Sequence, residues 1–174
     1  VGVGGGIIAG GRQLTGTGGF AGEIGHVPVV PDGRPCNCGS RGCWETEIGE
    51  GALLERAGRP PDGGRAAVDE LLAAAADGDA TTLAALAEHG RWVGIGLAGV
   101  INVFDPEMVV LGGSLAQIHP YIAASLTDEL ATRVFEEIRV QTEVVPAALG
   151  GDAPLVGAAE LAWDLVLADP AHAP

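Results

Sequence analysis

The chain has 174 residues, close to one domain, and a chain of that length buries about 70% of the surface that its unfolded form exposes, enough for a single core. Hydrophobic residues make up 47%, aromatic residues 4%, and there are 29 glycines. The apolar mass is therefore small aliphatic side chains packed through close backbone approaches, which excludes disorder for most of the chain. Nine basic residues, all arginine, face 23 acidic ones for a net charge of -14, which excludes unaided binding to nucleic acid or an anionic membrane. No apolar run reaches the length of a membrane span, and no basic segment leads into a short apolar stretch, so neither a transmembrane helix nor a signal peptide is read and the cytoplasm is the expected compartment. The chain opens on Val1 and runs straight into glycines, which reads as the C-terminal part of a longer protein.

From Val1 to Leu14 the pattern is a strand edge, a glycine bend, a short apolar strand, a Gly10-Gly11 hairpin turn and a return strand. A third antiparallel strand is expected from His26 to Val30, broken by Pro31 and Asp32-Gly33. Helical spacing begins at Glu45 and ends at Ala57-Gly58, before Pro60-Pro61. Further helices are expected over Arg65 to Ala76, Ala80 to Val103 and Tyr121 to Phe135. The second of these is apolar on nearly every face, the mark of a central, buried helix. Met108 to Leu111 reads as a buried parallel strand running into a Gly112-Gly113 turn, and Arg139 to Val145 alternates as a strand. A Gly150-Gly151-Asp152 turn precedes a closing helix from Ala153 to Leu167, and Asp169 to Pro174 reads as a frayed tail. Three antiparallel strands followed by alternating helix and strand predict an α/β layered domain.

All three cysteines fall within Cys36-Asn37-Cys38-Gly39-Ser40-Arg41-Gly42-Cys43, ten residues after His26. One histidine and three cysteines complete a tetrahedral Zn2+ shell, and with no position left for an activated water such a site is structural. A disulfide plus a free thiol is the competing reading, disfavoured by the odd count in a reducing compartment. Glu23 stands just before the liganding His26 and Glu45 just after Cys43. Carboxylates make strong charge-assisted hydrogen bonds to hydroxyls, so a sugar is the natural ligand of the pair. Either acid alone would read as a solvated surface group; what singles them out is that both flank one metal loop.

Gly2, Gly4, Gly5 and Gly6 near the start, and Gly112-Gly113 after the expected parallel strand, can turn backbone N–H groups toward a phosphate, or simply make tight turns. His89, His119 and His172 read as surface or cap residues. Glu47, Glu50 and Glu55 read as a solvated face, and Trp92, Phe104 and Trp163 as core fillers.

Glu23-x-Gly25-His26 followed by Cys36-x-Cys38-Gly39-x-x-Gly42-Cys43-x-Glu45 resembles the signature of the ROK family, which groups bacterial sugar kinases with sugar-responsive transcriptional repressors. The resemblance extends through Val109-Val110-Leu111-Gly112-Gly113 and Ala148-Leu149-Gly150. It implies the actin-like ATPase (ribonuclease H-like) fold, of which residues 1–174 would form one C-terminal lobe with a zinc loop at 26–45, the N-terminal lobe and any DNA-binding segment being absent from this chain. It also implies Zn2+ on His26, Cys36, Cys38 and Cys43, and sugar hydroxyls on Glu23, His26 and Glu45, the histidine using one ring nitrogen for metal and the other for sugar. No residue of this chain is assigned a catalytic role, because the general base of the family's kinases belongs to the N-terminal lobe.

Family kinases carry a threonine in the glycine turn where Val1 stands, which removes a hydroxyl from the phosphate site. That weighs against a kinase, and Gly42 to Glu50 with Leu161 to Pro170 look more like the family's actinobacterial-type repressors than its glucokinases, so the leading expectation is the sugar-binding effector and oligomerisation lobe of a ROK-type transcriptional regulator, forming a homo-oligomer and reading DNA only through the missing segment. The alternative is the same lobe of a ROK hexose or N-acetylhexosamine kinase, with Gly2, Gly4, Gly5, Gly112 and Gly113 holding ATP with Mg2+. A third reading is a zinc-stapled scaffold that only oligomerises.

Overall fold

Gly10 and Gly11 adopt φ of 56° and 76°, the left-handed pair that a two-residue hairpin turn requires. They join β1 (Ile8–Ala9) to β2 (Arg12–Gln13) in antiparallel register, Ile8 opposite Gln13 and Ala9 opposite Arg12. The protein is described here by a computed structural model over residues 2–168; Val1, the expected tail at 169–174 and His172 lie outside the described residues. The expected third strand does not form. Ile24–His26 turn as a 3-10 helix instead, and residues 26–30 make only an isolated antiparallel bridge between Pro28 and Cys43. Pro28 and Pro31 lack the N–H groups that a ladder would need to propagate.

The helix expected from Glu45 to Ala57 is divided into α1 (Glu45–Ile48) and α2 (Glu50–Arg56). Gly49 separates them with extended backbone, φ -63° and ψ 159°; its N–H donates to the Glu45 carbonyl and its own carbonyl accepts from the Leu53 N–H. α3 (Gly64–Ala76) follows. α4 (Ala80–Phe104) starts where the Asp79 carboxylate accepts from the Thr82 N–H at 2.7 Å, and stops at Asp105, whose φ of 46° turns the chain before Pro106.

β3 (Met108–Leu111) pairs in parallel with β4 (Glu143–Pro146) from Met108 opposite Glu143 to Leu111 opposite Pro146. Between them run α5 (Gly113–Arg133) and α6 (Glu136–Arg139). α5 begins eight residues before the expected Tyr121 and carries Pro120 inside it on an exposed face. The strand expected from Arg139 starts only at Glu143. A 3-10 turn, Gly150–Asp152, leads into α7 (Ala153–Ala168).

The core lies where α2, α3, α4 and α5 meet, with Leu54, Val68, Leu71, Leu86, Val93 and Ile122 fully buried. α4 is central, as its sequence predicts, and packs along α5, but it is not buried all round: Leu83, Val103 and Phe104 are exposed. β3 is buried only at Leu111; Met108 and Val110 are exposed, because among the described residues β4 is its sole hydrogen-bonded neighbour. Of the aromatic residues read as core fillers, Trp92 packs against the core, whereas Phe104 and Trp163 are exposed. No helix among the described residues is long and apolar enough to cross a membrane.

Trp44 is buried, and its indole N–H donates to the Trp92 carbonyl at 2.8 Å. A Cβ at Gly96 would overlap the Trp44 indole, so α4 can lie this close only with glycine there. Gly96→Ala is expected to lower unfolding free energy by about 1–3 kcal/mol, the cost of overpacking. Urea unfolding monitored by tryptophan fluorescence reads the change.

Candidate metal centre

The loop between His26 and Glu45 folds back on itself through backbone hydrogen bonds. The Cys36 N–H donates to Ser40 O, Gly39 N–H to Cys36 O and Gly42 N–H to Arg34 O, all within 3.0 Å. Asp32 at φ 55°, Gly39 at φ 90° and Gly42 at φ 68° take left-handed backbone within it. At Gly42 no other residue fits, since a Cβ would run into the Val30 carbonyl. The Trp44 N–H donates to Val27 O at 2.8 Å, which draws the loop's exit back to its entry.

This folding brings the Nδ1 or Nε2 of His26 and the Sγ atoms of Cys36, Cys38 and Cys43 within 4.8 Å of one another. His26 Nδ1 lies 3.6 Å from Cys36 Sγ, and the Cys38 and Cys43 sulfurs are also 3.6 Å apart. A tetrahedral shell with metal–sulfur bonds of about 2.3 Å has edges of about 3.8 Å, so the four donors fit one metal ion. All three cysteines are free thiols, so the disulfide alternative does not hold. Burial, then the neighbouring Cys38 and Cys36 thiols, push the Cys43 thiol up to about 12. The Ser40 backbone and the Cys36 thiol, donating to the thiolate, draw Cys38 down. Binding a metal must therefore expel the Cys43 proton, and it does so because a coordinated thiol is deprotonated outright.

Glu23 and Glu45 sit on either side of this cluster. With Nδ1 toward the sulfurs, the opposite ring nitrogen of His26, Nε2, stands 3.7 Å from Glu23 Oε2. The Glu23 side chain is 58% exposed and His26 34%, so both remain open to a ligand. Glu45, the first residue of α1, accepts the Val3 N–H on Oε2 at 2.8 Å and holds Oε1 3.8 Å from Cys36 Sγ. A carboxylate oxygen has two lone pairs, so this leaves Glu45 acceptor capacity for a hydroxyl. Its tie to Val3 joins the glycine segment to the metal loop, a link the sequence did not announce.

The two glycine runs also meet. Gly2, Gly4 and Gly5 line one cleft of about 690 Å³ together with Gly112 and Gly113, more than a hundred residues downstream. The N-terminus of α5, with Gly112 as its cap, opens on that cleft, and such an end favours anions. A Cβ at Gly4 would meet nothing within 4 Å, so this part of the turn is open to a ligand.

The family model for ROK matches residues 1–164 of this chain. The chain belongs to the ROK family. Over 163 residues, 94% of this chain and 42% of the relative, it is 34% identical to the xylose repressor of Bacillus subtilis. Over 92% of this chain and 56% of the relative it is 34% identical to the glucokinase of Streptomyces coelicolor. Among solved structures it is similar to a ROK family glucokinase from Streptomyces griseus in complex with glucose and AMPPNP, with TM-score 0.77 and 36% identity over 92% of this chain and 57% of that one. It is also similar to a ROK family transcriptional regulator, a homologue of the Escherichia coli MLC protein, with TM-score 0.72 and 30% identity over 83% of this chain and 39% of that one. The chain spans about half the length of the curated relatives it matches.

Two sequence readings near the site are corrected. His89 is no surface residue: it is 1% exposed, and Arg56 donates to its Nδ1 at 2.9 Å. Glu47 is buried rather than solvated, whereas Glu55 is exposed as expected and Glu50 half-buried. Burial and the adjacent Arg56 charge push His89 from 6.5 down to about 3. The unfolded chain thus takes up this proton at a higher pH than the folded one does, and the stability that neutral His89 provides is lost as pH falls from 6.5 toward 3. Unfolding midpoints in denaturant across that window should fall more steeply in the natural protein than in His89→Asn. Elemental analysis should find one metal ion per chain in the natural protein and none in Cys43→Ser, whose thermal midpoint should also fall.

Proposed function

We propose that this chain is the sugar-binding effector and oligomerisation lobe of a ROK-family transcriptional regulator, a single lobe with its metal loop at 26–45. The observation that carries the sugar-binding part is the flanking of one four-donor metal cluster by Glu23 and Glu45, with His26 Nε2 directed at Glu23. The regulator reading draws support from the 34% identity to the xylose repressor over 94% of the chain, and from Val1 at the position where the resemblance puts a kinase threonine.

On this reading the ion is Zn2+, which suits one imidazole and three thiolates and supplies a closed structural staple with no open position for chemistry. His26, Cys36, Cys38 and Cys43 hold it, and the chain works in the cytoplasm, where the thiols stay reduced. With Nδ1 on the metal, His26 keeps Nε2–H as an oriented donor, and Glu23 fixes the ring. The sugar's hydroxyls then donate to Glu23 and Glu45 and accept from Nε2–H. Because Glu45 also accepts the Val3 N–H, a sugar pulling on that carboxylate shifts the glycine segment at the start of the lobe. Only a differential affinity for two arrangements of the protein can turn such a shift into altered DNA binding. The DNA reader itself belongs to the part of the protein outside this chain, since the lobe's own charge is -14.

A ROK hexose kinase is the second reading, favoured by the convergence of Gly2, Gly4, Gly5, Gly112 and Gly113 on one cleft and by the glucose and AMPPNP in the Streptomyces griseus structure. In a kinase those glycines would hold ATP with Mg2+.

The full-length protein, titrated calorimetrically with hexoses and N-acetylhexosamines and assayed on the same samples for ATP-dependent phosphorylation, separates the two. Binding without turnover, and a change in operator affinity on adding the bound sugar, is the expected result. Turnover would establish the kinase, and no binding to any sugar would leave a scaffold. Glu45→Gln is expected to weaken sugar binding by about 10- to 100-fold, the loss of one or two charge-assisted hydrogen bonds, with metal content unchanged.

A further inference from the structure

Glu45 stands on α1, a helix of one turn with no side-chain cap at its start. A single turn has no intrinsic stability, so the direction in which Glu45 points is set by what holds α1 from outside. On the upstream side that is the metal loop and the Trp44 indole anchored on the Trp92 carbonyl. On the downstream side it is Arg56. Its Nη1 and Nη2 both donate to the Glu47 carbonyl at 3.3 Å, an end-of-helix acceptor that the helix's own N–H groups cannot reach. Arg56 Nη2 also lies 3.8 Å from the buried Glu47 carboxylate.

The guanidinium is itself held by His89 of α4, whose Nδ1 accepts from Nη1. A guanidinium has only donors, so Nδ1 must carry the lone pair and the ring proton sits on Nε2. Burial and the Arg56 charge disfavour a second ring proton and so support that arrangement. An Arg–His–Glu contact in which His89 and Glu47 are buried and Arg56 half-buried is a poor way to gain stability, since apolar residues of similar volume commonly do as well or better.

We propose that Arg56 and His89 are positioning residues for Glu45: without touching a ligand, they fix α1 against α4 and thereby set the affinity of the sugar site. The inference rests on the sugar-binding reading given above.

The test compares the full-length natural protein with His89→Leu, which removes the acceptor at similar volume, and His89→Asn, whose side-chain oxygen can take the place of Nδ1. Each is titrated with the sugar that binds the natural protein most tightly, well below its own melting temperature, and its metal content is measured. Sugar affinity should fall by about tenfold in His89→Leu, as when the competent arrangement of α1 is populated about one time in ten, and return most of the way in His89→Asn, with one metal ion per chain throughout. Should His89→Leu fail to fold, Arg56→Met, which keeps an aliphatic stem at a partly exposed position, is read the same way. A variant that has lost the contact, holds its metal and binds sugar within twofold of the natural protein overturns the positioning role and leaves the sugar site standing. A natural protein that binds none of the sugars overturns the sugar reading and this inference with it.

Discussion

Four donor atoms gathered within 4.8 Å in a loop of eighteen residues (26–43) are the constraint on which the rest of the site depends. Packing alone would not keep the loop in place: it has few buried side chains, its sulfurs repel when ionised, and its bends use left-handed φ at Asp32 and Gly42. A metal ion held by these four donors would turn these costs into a closed shell. Once the shell is closed, the loop's entry at His26 and its exit at Cys43 are fixed relative to each other. Glu23, three residues before the entry, and Glu45, two after the exit, would be fixed with them.

The helical half of the chain supplies the platform. α4 packs along α5 and also meets α1, α2 and α3, while Leu83, Val103 and Phe104 stay exposed on it. Two sets of polar contacts from α4 differ in what they hold. Glu129 accepts from Arg133 Nε at 2.7 Å and Arg91 Nε at 2.9 Å, which ties α5 to α4 and holds its carboxyl below the usual range. Arg56, His89 and the Trp44 indole tie α1 to α4 and so reach the site. The first set joins two long helices that already pack well. The second holds a single turn that would otherwise be free.

What could be read from sequence divides along physical lines. The gathering of His26 with the three cysteines was legible because a coordination shell demands particular residue types within a short span. α3, α4, β3 and α7 were legible within a few residues because their periodicity and caps are local. The third strand was not, since the prolines at 28 and 31 deny it a ladder although its apolar content suits one. The early start of α5 was hidden by Gly113, a weak helix former at its first position, and by Pro120, which lies inside the helix where its missing N–H usually marks an end. The burial of His89 and Glu47 was invisible, because it depends on Arg56 reaching across from α2, a contact between residues 33 apart. The joining of the two glycine runs in one cleft is likewise a property of topology and not of spacing.

Crystallography of the full-length protein with a bound hexose or N-acetylhexosamine tests the central claim most directly. The account predicts sugar hydroxyls within hydrogen-bonding distance of Glu23, Glu45 and His26 Nε2, beside a metal ion held by His26 Nδ1 and the three cysteine sulfurs. A sugar bound elsewhere, or an imidazole turned so that neither ring nitrogen meets the metal, would contradict it.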